Sequence, residues 1–273
     1  MPPPAMTGYR PTLFTGTRHQ PFMIAKLFSR RQATVRATAM PAGVRVYAIG
    51  DVHGRIDLLD PLLDRIEADD QARGGEPATI ILLGDLIDRG PASAQVIDRL
   101  IALKAARPDT RFLLGNHEEV FLKAVDGDRQ TLRLFTRIGG IETILSYGID
   151  RASYDAADYD ELLAMMRDRV PAAHLDFLNG FEDIIELGDY VFVHAGIRPE
   201  QPLSGQRPSD LRWIREEFLR FKGPHEKMVV HGHSIAADVE QLPNRIGLDT
   251  GAYSSGRLTA MGFEGAERWV IQT

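Results

Sequence analysis

The 273-residue chain contains no cysteine. That absence excludes disulfide staples, thiolate zinc sites, iron–sulfur clusters and a thiol nucleophile, so any chemistry must rest on His, Asp, Glu, Asn, Arg or Ser, or on a metal bound by them. Also missing is the run of about 18 or more apolar residues that a membrane-spanning helix needs. Basic residues are in the minority, 32 against 38 acidic for a net charge of −6. A surface that tracks nucleic-acid phosphates would need the opposite balance. Acidic residues are absent from the first 50 positions, where Arg10, Arg18, Lys26, Arg30, Arg31, Arg36 and Arg45 give +7, whereas the rest carries −13. This stretch opens Met-Pro-Pro-Pro, has Ser29 as its one serine before residue 44, and lacks the apolar core of a secretory signal. It is expected to be a basic, poorly ordered leader over residues 1–43, with Met23 an alternative start, ahead of a domain over 44–273. A cytoplasmic location is expected.

From Val44 the pattern becomes regular. Three short apolar runs, Val44 to Ile49, Ala78 to Leu83 and Arg111 to Leu114, end in Gly50-Asp51, Gly84-Asp85 and Gly115-Asn116. Between them Leu58, Leu59, Leu62, Leu63 and Ile66, then Val96, Ile97, Leu100, Ile101 and Leu103, fall at helical spacing, with Pro91 placed for a first turn. Strand and helix alternating in this way predict βαβ crossovers and a parallel sheet buried on both faces, its polar clusters gathered at the carboxyl edge. Helices are predicted near 117–125, 129–136, 141–147, 159–168 and 172–179, as a helical insertion over about 117–180. Strands return at Asp183 to Leu187 and Tyr190 to His194 around a Gly188-Asp189 turn. Further strands are expected at Lys227 to Val230, Arg245 to Leu248, Leu258 to Phe263 and Arg268 to Ile271, giving a mainly antiparallel second sheet.

Six clusters at strand ends carry the chemistry: Gly50-Asp51-Val52-His53-Gly54, Gly84-Asp85-Leu86-Ile87-Asp88-Arg89-Gly90, Gly115-Asn116-His117-Glu118, His194-Ala195-Gly196, His231-Gly232-His233-Ser234 and Asp249-Thr250-Gly251. Singly, each reads as an ordinary turn. Together they hold five of the eight histidines.

The set resembles the phosphoprotein phosphatase family of calcineurin-like metallophosphoesterases, in its bacterial serine/threonine phosphatase branch. The resemblance implies an α/β sandwich of two mixed β-sheets flanked by helices, with a dinuclear metal site at the sheet edge. It implies that Asp51 and His53 bind one divalent ion, that Asp85 bridges both, and that Asn116, His194 and His233 bind the second. Such N/O ligands suit Mn, Fe, Zn or Co, with manganese suggested by the bacterial likeness. It further implies His117 as proton donor oriented by Asp88, Arg89 as a fork on the phosphoryl oxygens, and a second arginine, Arg215 in preference to Arg212. His231 is left to the core or a supporting position. Asp249 reads equally as a hydrogen-bond acceptor for a ligand histidine or a turn cap, and Glu118 as a carboxylate suited to a helix start.

The expected reaction is phosphomonoester hydrolysis by metal-bound hydroxide. The expected substrate is a phosphorylated protein or a small phosphoester, with protein serine/threonine phosphatase as the first reading. The alternative is a bis(5'-nucleosyl)-tetraphosphatase-like hydrolase of dinucleoside polyphosphates. A noncatalytic scaffold is the third reading, and the full set of candidate ligands argues against it.

Overall fold

Alternation along the first strand sets the layering. In β1 (Arg45–Ile49) Val46 and Ala48 face one way and Tyr47 and Ile49 the other, and all four are fully buried. The computed structural model describes residues 38–75 and 78–273, which belong to one unit running from Ala37 to Thr273. The N-terminal part of the expected leader, with its Met23 start, lies outside the described residues. Residues 38–43, counted with the leader on sequence grounds, contact the domain. Ala39 donates to Asp189 Oδ2 (3.0 Å), the Met40 amide donates to Gly265 O (2.8 Å), and the Met40 side chain is buried in the core.

The first sheet has the order β10-β9-β1-β2-β3, built from β1, β2 (Thr79–Leu82), β3 (Arg111–Phe112), β9 (Thr259–Glu264) and β10 (Glu267–Gln272). Its β1-β2-β3 part is parallel, and β9 and β10 are added antiparallel. The parallel βαβ part is as expected, and the sheet is mixed, as the family resemblance implies, because the last hairpin of the chain returns to pair along the free edge of β1. The second sheet, β4-β5-β6-β8-β7, contains β4 (Ile184–Leu187), β5 (Tyr190–Val193), β6 (Met228–His231), β7 (Glu240–Gln241) and β8 (Arg245–Gly247). Its central β5-β6-β8 run is parallel and only its two flanking pairs are antiparallel. The expectation of a mainly antiparallel sheet fails here, since the long connections between these strands are crossovers rather than hairpins.

Val46, Ala48, Ile81 and Leu83 meet Ile185, Tyr190, Phe192, Val230 and Ile246 between the sheets. The opposite faces pack on helices. Tyr47, Ile49, Ile80 and Leu82 lie under α1 (Ile56–Arg73) and α2 (Ser93–Ala106), while Val191, Val193 and Val229 lie under α9 (Pro208–Trp213) and α10 (Glu216–Leu219). Pro91 precedes α2 by two residues rather than sitting in its first turn. The insertion runs through α3 (Asn116–Asp126), α4 (Arg129–Ile138), α5 (Gly140–Ser146), α6 (Arg151–Ala156), α7 (Tyr159–Arg169) and α8 (Ala172–Asn179). Its Phe121, Phe135, Ile144 and Met166 join the same apolar cluster as α1 and α2. Among the described residues no helix is long and apolar enough to cross a membrane.

Asp70, near the end of α1, accepts from Arg45 Nη1 (2.8 Å), Arg107 Nη2 (3.2 Å) and the Ala78 amide (3.1 Å). Burial opposes its charge, but these donors outweigh it and hold the carboxyl below its usual pKa. A depressed folded pKa contributes stability above the unfolded value of about 4, and that stability is lost as pH falls through the folded value. Asp70→Asn is therefore expected to lose roughly 2 kcal/mol at neutral pH, with the gap to wild type narrowing below about pH 4. Urea unfolding across that range checks this; a gap that is independent of pH contradicts the assignment.

Candidate active site

Each sheet contributes a parallel triplet, and the carboxyl ends of β1, β2, β3, β5, β6 and β8 converge on one edge. All six motif clusters follow these strands. Their backbone is unusual: five of the six described non-glycine residues with positive φ are His53, Asp85, Asp88, Arg89 and His233. Such conformations are disfavoured for L-residues and persist where the surrounding structure over-determines them.

The tautomers of two histidines follow from their hydrogen bonds. His194 Nδ1 lies 2.8 Å from Leu83 O and His53 Nδ1 lies 2.8 Å from Ile87 O. A carbonyl can only accept, so both rings carry their proton on Nδ1 and present a lone pair at Nε2. Around His194 Nε2 stand Asn116 Oδ1 (3.0 Å), His233 Nδ1 (3.2 Å) and Asp85 Oδ1 (3.4 Å). That lone pair faces the oxygens of Asp85 and Asn116, both acceptors, and a divalent cation satisfies all three groups at once. The other Asp85 oxygen lies 3.7 Å from His53 Nε2 and 3.9 Å from His117 Nε2. Two buried sets thus converge, Asp85–His194–His233 and His53–Asp85–His117, and Asp85 belongs to both. The residues fit a pair of divalent cations.

Electrostatics agree with that reading. Burial lowers His53 to about 3 and His233 to about 2, so both stay neutral, as ligands must. Burial opposes ionisation of Asp85, but the surrounding imidazoles overcome it and hold its pKa below the usual range. Asp51 is in neither of these two sets but adjoins them. Its carboxylate accepts from the His233 amide (3.1 and 3.0 Å), and burial together with the neighbouring Asp249 charge raises its pKa.

His117 Nδ1 lies 2.6 Å from Asp88 Oδ2, and Asp88 Oδ1 accepts from Thr143 Oγ1 (2.6 Å). Burial disfavours the charged ring, but Asp85 and Asp88 outweigh it and raise the His117 pKa. Arg89 donates to His53 Nε2 (2.9 Å), its Nη2 lies 3.0 Å from His117 Nε2, and its amide is tied to Gly139 O (2.9 Å). Arg212 is held by Asp183 (2.6 Å) and lies 3.6 Å from Glu119. Arg215 is exposed, has no such pairing among the described residues, and its charge bears on His194 and His233.

Glu118 does far more than suit a helix dipole. It is fully buried and accepts from four amides: Asp85 (2.9 Å) and Gly115 (3.0 Å) on Oε2, Leu86 (2.7 Å) and Ile87 (3.3 Å) on Oε1. It ties the Asp85 loop to the Asn116 loop. Burial pushes its pKa up to about 7, yet every partner is a donor, which the carboxylate form satisfies on all sides. The loops approach so closely that a Cβ on Gly115 would lie 2.3 Å from Asp85 Oδ1. Glu118→Gln turns one acceptor into a donor facing two amides, and is expected to cost roughly 3 kcal/mol in urea unfolding. A loss under about 0.5 kcal/mol would contradict the clamp.

Thr143, Ser93 and Tyr253 also belong to the site. Thr143 Oγ1 and Ser93 Oγ receive the Asp88 amide (2.9 and 3.0 Å), but only the fold brings α5 and α2 there. His231 is fully buried, 3.2 Å from Arg245 Nη1 and 2.9 Å from Gly232 O, in the expected supporting position. Alternate residues of a continuous strand share a face; here the strand ends at His231 and His233 takes φ +62°, which separates the two rings' roles. Asp249 caps its own turn through the Gly251 amide (2.9 Å) and neighbours Asp51 rather than a ligand histidine.

Residues 44–247 match the profile of the calcineurin-like phosphoesterases, and the chain belongs to that family of metallophosphoesterases. Among curated proteins it is 32% identical over 200 residues to a symmetrical bis(5'-nucleosyl)-tetraphosphatase of Acidovorax ebreus, covering 72% of this chain and 55% of that one. It thus spans little more than half the length of that relative. It is 25% identical to the asymmetrical bis(5'-nucleosyl)-tetraphosphatase PrpE of Bacillus subtilis, over 79% of this chain and 89% of the other. A cold-active protein-tyrosine phosphatase of a psychrophilic Shewanella shares the fold at a TM-score of 0.52 and 19% identity, covering 86% and 84% of the two chains.

Proposed function

We propose that the chain is a metal-dependent hydrolase of dinucleoside polyphosphates, the alternative rather than the first of the two enzymatic readings of its motifs. The observation that carries the hydrolase is the His194 Nε2 lone pair ringed by Asn116, His233 and Asp85, with Asp85 reaching a second histidine set. Support for the substrate comes from the tetraphosphatases among the curated relatives. The protein-phosphatase reading has a likeness of fold behind it.

In this assignment Asp51, His53 and Asp85 hold one cation, and Asp85, Asn116, His194 and His233 hold the other, with manganese the proposed metal. When bound, two such ions neutralise phosphoryl charge and acidify water. The protein supplies the rest. Arg89 and Arg215 take phosphoryl oxygens, Arg89 through a planar fork that can reach two of them at once. His117 delivers the proton to the leaving oxygen from Nε2. Asp88 fixes that ring through Nδ1 and is itself held by Thr143 and Ser93.

A hydrolysis panel tests the substrate: diadenosine tetraphosphate beside phosphoserine, phosphothreonine and phosphotyrosine peptides, with manganese. The dinucleotide is expected to give the highest kcat/KM. A phosphopeptide exceeding it overturns the assignment.

A further inference from the structure

The edge of the site carries apolar surface for which phosphoryl binding has no use. Ile235 follows His233 by two residues and is 51% exposed, and Tyr253 is half-buried. The Tyr253 ring stands perpendicular to His53 with centroids 5.4 Å apart, and the Arg89 guanidinium carbon lies 4.8 Å from its centre. Gly251 takes φ +68°, and a Cβ there would lie 3.1 Å from Ile235 Cγ2, so the isoleucine closes over the turn that presents the tyrosine. That turn is anchored. Arg55 Nη1 donates to Ala252 O (2.8 Å), and the Ala236 amide donates to Asp249 O (3.0 Å), fixing the Ile235 and Tyr253 segments against each other.

We propose that Tyr253 and Ile235 form a subsite for the base of a nucleotide whose phosphoryl group is held by Arg89. The inference rests on the nucleotide reading above. A phosphate needs cations and donors, which Arg89 provides; a half-buried aromatic ring and an exposed isoleucine serve whatever is attached to the phosphate. A ring whose neighbour is a guanidinium offers a composite stacking surface for a flat heteroaromatic group, and such stacking is sequence-tolerant. Ile235 packs at Gly251, two residues before Tyr253, and adds apolar surface that the single ring of an aryl phosphate ester does not need. This favours a nucleoside over phosphotyrosine.

Titration calorimetry of the manganese-loaded full chain with AMP and with ribose 5-phosphate isolates the base, the one group by which they differ. Wild type is expected to bind AMP about tenfold tighter, within the usual range for one stacked base. Tyr253→Ala should bring the two affinities within about twofold, Tyr253→Phe should keep the preference, and Ile235→Ser should remove part of it. Equal affinities in wild type overturn the subsite, as does a preference that Tyr253→Ala leaves unchanged. A Tyr253-dependent preference for phenyl phosphate without one for AMP reassigns the ring to an aryl ester and also overturns it. Should Tyr253→Ala fail to fold, Ile235→Ser decides, since its side chain is largely solvent-exposed and a wild-type preference in that variant counts against the subsite. Turnover of diadenosine tetraphosphate is read separately: its absence sinks the hydrolase assignment, whereas base-dependent binding still stands or falls on the calorimetry.

Discussion

Asp85→Asn is expected to leave on the order of 10⁻³ of wild-type kcat, the scale at which removing a group that holds transition-state charge acts, and to hold fewer than two manganese ions per chain. The motive is that Asp85 sends one oxygen to His194 (3.4 Å) and the other towards His53 (3.7 Å). An amide in its place points N–H hydrogens at one of those lone pairs and removes the charge from both. Asn116→Ala touches one set only and should lose less. Elemental analysis of the dialysed proteins, with turnover on one substrate, checks both statements. Two ions retained in Asp85→Asn, or activity near wild type, would remove the bridging role.

His117→Asn is expected to discriminate between leaving groups. If His117 Nε2 gives a proton to the departing oxygen, its contribution depends on how basic that oxygen is. A serine alkoxide needs the proton, so a loss of about 10²-fold or more is expected on phosphoserine peptides. Nitrophenolate and the phosphate end of a nucleotide leave readily as anions, so nitrophenyl phosphate and diadenosine tetraphosphate should lose far less. His53→Asn and His194→Asn should instead lower all substrates alike, because their contribution precedes bond cleavage. Equal losses for His117→Asn on every substrate would make His117 a positioning group and move the proton donor elsewhere.

The motif residues were legible because glycine marks the turns and the histidines crowd beside them. Five of the residues that take positive φ follow or flank such glycines in the sequence, and the expected strands that lead into them are present. The helices at α3, α4, α5, α7 and α8 were also legible from apolar spacing. The short α6 was not expected; it has no buried residue, so no apolar period announces it. The same reason hides β7, whose Glu240 and Gln241 are polar and only pair along one side of β8.

The sequence alone nominates candidate ligands, a candidate proton donor and candidate arginines, since those depend on residue type and on local turns. The pairing of strands was decided in three dimensions. Whether β9 and β10 join the first sheet or the second depends on which strand edge is left unpaired after β1, β2 and β3 have paired, a long-range condition that no local period encodes. The role of Glu118 is of the same kind. Its four amide partners belong to loops that meet only when β2 and β3 lie side by side, so a residue that reads locally as a helix start becomes the buried acceptor that holds Asp85 and Asn116 in register. Spacing along a chain can name a ligand, but the low dielectric and fixed donors that set its charge exist only after the sheets have closed around it.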